Sequence, residues 1–310
     1  MLTQYRYFAA IIDHGGVTAA AHALAISQPA ISRSLQSLEF QFDAKLIDRA
    51  TWQLTPIGAM VLQRARLLLA EQGSLMEDVK ALAQHGEAQV FVNGAPMTAV
   101  VLMRRIITRL AATHTNIRVS VRGDNGANYA WKHEALLKGD LDVALTIIDP
   151  AHQTKGLVQL PLFEPELRVI VRRTEEGASR ISRLEELIDR RWIMPPMGSS
   201  PRAVVENEFR LCGLEPPRDT IEISDWRIAL DLVRETNWVT AIPYHPACFE
   251  DQFDRLEVLT IPFKARPLGI GIYVRPFALR RPATAAFIEA ATETVSAYGS
   301  APSSMHLPHR

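Results

Sequence analysis

The stretch SQPAISRSLQSLE, residues 27–39, decides how the first part of this chain folds. Its apolar residues recur at three- and four-residue steps, which is the spacing of one buried helix face. A second face is polar and carries Gln28, Ser32 and Gln36, with Arg33 beside them. Amide, hydroxyl and guanidinium groups hydrogen-bond base edges and phosphates, so this face indicates DNA binding. The alternative is the ordinary solvated face of a helix.

The sequence around this stretch completes a helix-turn-helix. Apolar periodicity predicts a helix over residues 2–13, and Gly15 and Gly16 end it. A second helix is predicted over residues 18–24, and Ser27 is expected to cap a third by accepting a backbone N–H bond. The start of the last helix of such a motif enters the major groove. The residues of this helix expected to face the core are Ile31, Leu35, Leu38 and Phe42.

The composition indicates a globular protein of two or three domains, since the chain has 310 residues of which 47% are hydrophobic. Its 34 basic and 34 acidic residues cancel, so no overall charge attracts nucleic acid. Two cysteines, Cys212 and Cys248, are too few for a disulfide framework. The N-terminus has no signal-peptide pattern and no apolar run reaches about 18 residues, so we expect a soluble cytoplasmic protein outside the membrane.

The N-terminal residues resemble one family, the LysR-type transcriptional regulators. The resemblance rests on Phe8, Gly15, Thr18, Ala20, Ala21, Leu24, the segment SQPAISR, Leu38, Glu39, Leu46, Arg49, Leu54, Thr55 and Gly58. It implies a winged helix-turn-helix over residues 1–58 and a linker and dimerisation helix over residues 59–87. A two-lobed α/β effector domain, similar to periplasmic binding proteins, is implied over residues 88–300. Residues 301–310 are expected to form a disordered tail.

The resemblance also implies which residues touch DNA. Contacts from the recognition helix are implied for Gln28, Pro29, Ser32 and Arg33, and contacts with the DNA backbone for Thr18 and Thr55. Ser27 and Arg49 complete the predicted set.

The wing departs from the family pattern. The family usually has Phe where Ile47 stands. The family's wing is usually longer than the segment ATWQ at residues 50–53, and it carries additional Arg or Lys residues that this segment lacks. We expect Trp52 to pack inward, with stacking or groove contact as the alternative. Residues 1–55 carry four basic residues, Arg6, Arg33, Lys45 and Arg49, and four acidic residues, Asp13, Glu39, Asp43 and Asp48. With zero net charge, this domain must rely on local charge placement and on linked copies to bind DNA.

A long helix is predicted over residues 56–85, roughly 45 Å in length. Its apolar residues are Val61, Leu62, Leu68, Leu69, Leu75, Met76, Val79 and Leu82. A helix between two domains cannot bury such a stripe alone, so a second copy is the expected partner, giving a homodimer or homotetramer. The alternative is that the helix packs on its own chain.

Beyond residue 88 the sequence alternates strands and helices, which predicts βαβ units and a parallel sheet. Gly139 is expected to take the left-handed turn that ends a helix before a buried strand at residues 143–148. The chain is expected to cross into a second lobe near residues 160–161 and to return after residue 262. The predicted lobes are residues 88–161 with 266–300, and residues 162–265. Two crossings between two lobes make a hinged cleft.

The cleft is expected to bind a small effector with a carboxylate group. Two predicted helix N-termini face it, and free backbone N–H groups there favour anions. The resemblance implies that the family holds its effector at these positions and at the end of the third strand, so the predicted effector-binding residues are Pro96, Thr98, Thr146, Gly198, Ser199, Ser200 and Arg202. Arg202 would pair with the carboxylate, whereas capping their own helix is the alternative role of Ser199 and Ser200.

The sequence predicts a sequence-specific DNA-binding regulator controlled by this effector, and not an enzyme. It contains no GxSxG elbow, no HExxH motif and no Gly-rich phosphate loop, so neither a cofactor nor a metal is expected. The alternative is a solute-binding protein or an enzyme domain that carries an accessory DNA-binding domain. A redox switch between Cys212 and Cys248 is a further alternative, which the apolar surroundings of Cys248 disfavour.

Overall fold

The computed structural model describes residues 1–49, 51–85, 87–94, 101–123, 129–148, 156–173, 181–249 and 253–299. In these residues a helical N-terminal domain and a two-lobed α/β domain are joined by one long helix. This confirms the fold class predicted from the sequence.

Three helices form the core of the N-terminal domain. They are α1 (Leu2–Asp13), α2 (Val17–Leu24) and α3 (Gln28–Gln41). Two expectations for α3 were wrong. The Ser27 side chain makes no capping hydrogen bond, and its backbone carbonyl instead accepts the N–H of Ala30 over 3.0 Å. Phe42 is 40% exposed, because α3 ends at Gln41 and Phe42 lies just beyond it, as the C-cap residue.

A two-stranded wing follows α3. Ile47 and Leu54 form an antiparallel bridge, and the Asp48 N–H donates to the Gln53 carbonyl over 2.9 Å. Trp52, which lies between these two residues in the chain, is 47% exposed with a φ of +56°, because a single bridge offers no second layer for a large side chain to pack on. The expectation that it packs inward was wrong.

The linker helix α4 (Pro56–His85) is continuous over 30 residues. Its start lies so close to the wing that a Cβ on Gly58 would overlap the Leu46 carbonyl oxygen, so glycine is required there. One face of α4 packs on α1 and on lobe I of its own chain. Another face leaves apolar side chains exposed to solvent: Leu68, Leu75, Met76, Val79 and Leu82. The predicted stripe is thus divided between contacts within the chain and a surface without cover.

In its described residues, lobe I contains one five-stranded sheet and three helices. Its elements are β1 (Ala88–Gly94), α5 (Val101–Thr113), β2 (Ile117–Val121), α6 (Tyr129–Lys138), β3 (Val143–Ile147), β4 (Val158–Phe163), β10 (Ile270–Val274) and α10 (Pro282–Ser296), with a 3-10 turn at Ala278–Arg280. The strand order is β2-β1-β3-β10-β4. The first three strands are parallel, as predicted, whereas β10 runs antiparallel to both of its neighbours. Gly139 ends α6 with a φ of +90°, as expected.

Lobe II contains the second five-stranded sheet. Its elements are β5 (Glu166–Arg172), a 3-10 turn (Leu184–Leu187), β6 (Trp192–Met194), α7 (Ser200–Leu211), β7 (Thr220–Glu222), α8 (Trp226–Glu235), β8 (Val239–Tyr244), α9 (Pro246–Phe249) and β9 (Leu256–Leu259). The strand order is β7-β6-β8-β5-β9. The chain crosses from lobe I at residues 164–165 rather than at residues 160–161, because β4 still pairs with β10 as far as Phe163.

A buried ionic network fastens α4 to lobe I. The carboxylate of Asp142, which is completely buried, pairs with Arg275 over 3.0 Å and also with Arg281. Arg275 donates to the Ser74 hydroxyl over 3.3 Å, and Arg281 donates to the Asp78 carboxylate over 2.9 Å. Because Ser74 and Asp78 belong to α4, the network fixes this part of the helix on the lobe.

Replacing Asp142 with Ala should lower the free energy of unfolding by about 3–5 kcal/mol, because two buried guanidinium groups then lose their counterion. Urea unfolding followed by circular dichroism measures this loss. Asp140→Ala removes an exposed carboxylate two residues away and should change stability by less than about 0.5 kcal/mol. Equal losses in the two variants would contradict the role assigned to the network.

Candidate nucleic-acid interface and interlobe cleft

The start of α3 presents a polar surface to solvent. Gln28, Pro29 and Arg33 are exposed and Ser32 is half-buried. The Arg33 Nε donates to the Pro29 carbonyl over 3.3 Å, which places the guanidinium beside the first turn of the helix. Pro29 lies in that first turn, where its missing N–H leaves no broken helix bond. Four of the predicted DNA-binding residues are thus brought together on one surface.

The other predicted DNA-binding residues lie around this surface in different settings. Thr18 and Ser27 are exposed, at the first turn of α2 and directly before α3. Arg49 is exposed on the wing and lies 3.6 Å from the Glu39 carboxylate. Thr55 has another role, since its hydroxyl donates to the Lys45 carbonyl over 2.7 Å and accepts the Gly58 N–H over 2.9 Å. Its single hydroxyl proton is used within the protein and is not available for a phosphate.

Glu39 organises the wing, a role that the sequence analysis did not assign. Its buried carboxylate accepts the Leu46 N–H over 3.0 Å and pairs with Lys45 over 3.0 Å. Burial raises the pKa of Glu39, but the Leu46 N–H and the charges of Lys45 and Arg49 outweigh it, so the pKa lies below the ordinary value. The available signal was the Leu38-Glu39 pair of the resemblance, because a charged residue on an apolar helix face needs a buried partner.

In both lobes, the edge of the sheet at the carboxyl ends of its parallel strands lies next to the hinge. In lobe I the end of β3 at Ile147 lies beside the start of β10 at Ile270, which also pairs with Phe163 at the end of β4. In lobe II the end of β8 at Tyr244 pairs with Glu166 at the start of β5. Because the chain passes directly from β4 to β5, the carboxyl ends of the parallel strands in both lobes flank the crossing. Ligands of open α/β sheets bind at this edge, so the cleft is the candidate effector site.

A cavity of about 430 Å³ lies where the two crossing segments meet, which is large enough for a small molecule. It is lined by residues 164–168, 260–263 and 265–267. Its charged residues are Glu164, Glu166, Arg168 and Arg266, of which Arg168 pairs with Glu166. No effector contact was predicted in these residues. The prolines at positions 165, 262 and 267 were the available signal, because proline favours the extended chain of a crossing.

The predicted effector-binding residues do not meet at one point. Thr146 is buried within lobe I. Gly198 has a φ of +76° in the turn before α7, and Ser199 caps this helix by accepting the Arg202 N–H over 3.4 Å. Ser200 begins α7. Residues 96 and 98, predicted as Pro96 and Thr98, lie outside the described residues.

Arg202 already has partners in the protein. Its Nε donates to the Glu206 carboxylate over 2.8 Å and its Nη1 donates to the Pro195 carbonyl over 3.2 Å. Among the described residues, no hydrogen bond involves its Nη2. An effector carboxylate at this position would therefore meet a guanidinium that a neighbouring acid has partly neutralised.

His245 lies at the junction of the lobes. Its ring stacks on Phe163 of lobe I with the ring centroids 4.2 Å apart, and its Nδ1 accepts the Ala247 N–H over 3.2 Å. Burial lowers the pKa of His245, although the nearby Glu166 carboxylate acts in the opposite direction. The neutral ring is thus the form that fits this junction.

Neither cysteine has the surroundings of a reactive thiol. Burial raises the pKa of Cys248 to about 12. Partial burial and the neighbouring Glu208, whose carboxylate is 3.6 Å from the Cys212 sulfur, raise the pKa of Cys212 as well. Both groups remain protonated thiols at neutral pH, which disfavours the redox-switch alternative. Within the described residues, no cluster of metal-binding side chains is found, and none of the helices has the length and apolar character to span a membrane.

Comparison with known proteins assigns both halves of the chain to one kind of protein. The family model described as "Bacterial regulatory helix-turn-helix protein, lysR family" matches residues 2–59, and the one described as "LysR substrate binding domain" matches residues 84–296. The HTH-type transcriptional regulator GalR of Pseudomonas putida is 26% identical over 273 residues, which cover 87% of this chain and 68% of that protein.

Solved structures show the same fold over the whole chain. A full-length OxyR variant from Pseudomonas aeruginosa is 20% identical, with a TM-score of 0.60 and coverage of 99% of both chains. Full-length CbnR in complex with its target DNA is 22% identical, with a TM-score of 0.55 and coverage of 95% of this chain and 99% of that chain. The resemblance seen in the sequence is confirmed.

The free energy of unfolding should fall as the pH drops below about 6.5, the ordinary pKa of histidine, because the unfolded chain binds a proton that folded His245 resists. Above that pH, His245 is neutral in both states and adds no pH dependence. Urea unfolding at pH 7.5 and 5.5 should show a smaller fall for His245→Gln than for the unchanged protein. His14→Gln, at an exposed position, is the matched control. An identical fall in all three proteins would contradict this prediction.

Proposed function

The chain belongs to the LysR family of DNA-binding transcriptional regulators, and from this premise we propose which residues read DNA, how copies associate and what the effector is. The observation that carries the proposal is the exposed polar surface at the start of α3, within a helix-turn-helix that is joined to a two-lobed domain by one continuous helix. The family models account for both halves of the chain, which neither the solute-binding nor the enzyme alternative does.

Sequence is read by the first two turns of α3. Gln28 suits adenine and Arg33 suits guanine, because both side chains can form paired hydrogen bonds with those bases in the major groove. Ser32, half-buried between them, bonds either a base or a phosphate. Thr18, Ser27 and Arg49 surround this surface and contact the DNA backbone, which sets the position of α3 without adding sequence information.

Two copies pair along the exposed apolar face of α4. The side chains of this face recur at positions 68, 75, 79 and 82, which places them on one side of the helix. Exposed apolar stripes of this kind are covered by a partner in soluble proteins. A paired helix also supplies the linked copies that a DNA-binding domain with no net charge needs, because two weak sites on one molecule bind far more tightly than one.

The effector binds between the lobes and carries a carboxylate. Support comes from the start of α7, where the backbone N–H of Ser200 and the guanidinium of Arg202 lie after the carboxyl end of β6, on the edge that faces the hinge. The Nη2 of Arg202 is the group assigned to the carboxylate. The effector controls DNA binding only if it has different affinities for different arrangements of the lobes.

Replacing Gln28 or Arg33 with Ala should each cost about 1–3 kcal/mol on the specific duplex, because a bidentate base contact is lost. The measurement is a titration of labelled duplex, obtained from the protein's own upstream region, against a duplex of random sequence at two salt concentrations. Arg183→Ala removes the same charge from an exposed position of lobe II and should leave both affinities unchanged. If Arg33→Ala lost affinity equally for specific and random DNA, Arg33 would be a phosphate contact, which would contradict its proposed role in reading bases.

A thermal-shift screen with pairs of carboxylic acids and their amides should find stabilising ligands among the acids. Arg202→Gln should abolish the shift, because the guanidinium is removed. Glu206→Gln should leave the thermal shift equal or increase it, because this change removes the Glu206 carboxylate that competes with the ligand for Arg202. Stabilisation by amides or cations alone would contradict the carboxylate proposal, and an unchanged shift in Arg202→Gln would contradict the role of Arg202.

A further inference from the structure

A cavity of about 270 Å³ lies where the N-terminal domain meets lobe I. Its walls come from α1 and α2 of that domain, from α4, and from Lys138 at the end of α6. Lobe I packs closely at this point, since a Cβ on Gly139 would lie only 3.1 Å from the Cβ of Ala70 in α4. The wall is therefore complete only while lobe I rests on α4 beside the N-terminal domain.

The charged residues around this cavity do not balance. Asp13, the last residue of α1, pairs with Arg66 of α4, and its Oδ2 lies 4.0 Å from the Lys138 Nζ. Lys138 also pairs with Glu134 over 2.8 Å. Arg6 lines the cavity as well, and within the described part of the chain it has neither a hydrogen bond nor an ion pair. Three basic residues thus face two acidic ones, which leaves one positive charge without a partner.

The Arg66 guanidinium, which lines the cavity, retains an unused donor. Its Nη2 is bonded to the Asp13 carboxylate, but its Nε is buried and has no hydrogen-bond partner among the described residues. A buried donor without an acceptor is destabilising, because it has given up its hydrogen bond to water. The oxygen of an anion in the cavity would satisfy this donor and would also meet the charge of Arg6.

The rest of the lining is mostly apolar. It consists of Ala9, Ala10, Leu24 and Leu69, together with His14, which is exposed. Such a surface favours a ligand with a hydrocarbon body, because an inorganic anion has no apolar area to bury against it. The volume is slightly below the roughly 300 Å³ of the smallest ordinary ligand pockets, so the ligand must be small.

We propose that this cavity binds a small organic monoanion, whose charged group meets Arg6 and the Arg66 Nε and whose apolar body lies on Leu24 and Leu69. The site is separate from the interlobe cleft, and it is smaller than the cleft cavity of about 430 Å³, so the two take different ligands. Because both the N-terminal domain and lobe I contribute to its wall, a bound ligand stabilises the contact between them. This inference goes beyond the proposed function and requires neither the cleft effector nor base reading.

The probe is hexanoate, a carboxylate with a short apolar body, titrated calorimetrically into the full-length chain carrying Arg202→Gln. This change removes the cleft group proposed to bind a carboxylate, so the remaining binding reports on the smaller cavity. Acetate lacks the apolar body and hexanamide lacks the charge, and each should bind at least about tenfold more weakly than hexanoate. Equal affinity for hexanoate and either of these compounds would overturn the proposal, as would the absence of hexanoate binding.

Two further changes in the same protein locate the charged contacts. Arg6→Gln should weaken hexanoate binding about tenfold and leave the unfolding temperature without ligand unchanged, because Arg6 has no partner among the described residues. Arg66→Lys keeps a positive charge near Asp13 but removes the Nε donor, and it should weaken binding by a similar factor. Arg183→Gln, at an exposed position of lobe II, is the matched control and should bind hexanoate as before. Full affinity in Arg6→Gln and Arg66→Lys would overturn the proposal.

Hydrogen exchange in the Arg202→Gln protein shows where hexanoate lies. Protection should increase together in α1 and α6 and remain unchanged in residues 260–267 of the cleft. Protection confined to residues 260–267 would place the ligand in the cleft and overturn the proposal. An acidic side chain of a second copy is the competing occupant of the cavity. Hexanoate would then lower the molecular mass measured by light scattering, and this result would also overturn the proposal. None of these failures affects the proposed DNA reading, which uses residues of α3.

Discussion

The buried carboxylate of Asp142 is the interaction on which the arrangement of this molecule depends. Its Oδ2 accepts the backbone N–H of Phe91 in β1, and its Oδ1 faces the guanidinium groups of Arg275 and Arg281. These residues come from separate parts of lobe I, and both arginines also donate hydrogen bonds to side chains of α4. Burying a carboxylate is costly unless its hydrogen-bonding capacity is satisfied, so this geometry tolerates little variation. The direction of the linker helix relative to the sheet follows from it.

A second buried acid acts near the other end of α4. Glu39 fastens the wing to α3, and the wing in turn lies against the first turn of α4 at Gly58. The DNA-binding domain and lobe I are therefore each joined to the linker helix by contacts within one chain. The face of α4 that remains uncovered is the one proposed to meet a second copy.

The sequence was sufficient for the helices and strands because their periodicity is local. The three N-terminal helices, the end of α6 at Gly139 and the parallel strands of lobe I all follow from residues near one another in the chain. The errors concern side chains whose surroundings come from elsewhere. Thr55 donates to a carbonyl ten residues away, and Trp52 has no second layer to pack on. Periodicity gives no information on either.

The position of the effector cleft could be predicted from the sequence, but the side-chain contacts within it could not. Alternating strands and helices with two crossings predicted a hinge, and the strand registers show which sheet edges flank it. The resemblance directed attention to the start of α7, yet it did not predict that Arg202 would be bonded to Glu206 and to the Pro195 carbonyl. Such partners depend on rotamers, which a motif does not specify. Phe163 and His245 stack although they are far apart in the chain, and no motif indicated that contact.

The close approach of Gly58 to the wing has a consequence for how a pair of copies would measure DNA. Because the wing packs against the first turn of α4 at Gly58, the crossing angle of two paired helices would set the separation of the two wings. Gly58 lies sixteen residues from Ser74, or roughly 24 Å along the helix. A change of about five degrees in the crossing angle would then displace each wing by about 2 Å, a large fraction of the roughly 3.4 Å rise of one base pair. In such a pair, a small change in the crossing angle of the helices would change the separation of the two wings by an appreciable part of one base-pair step.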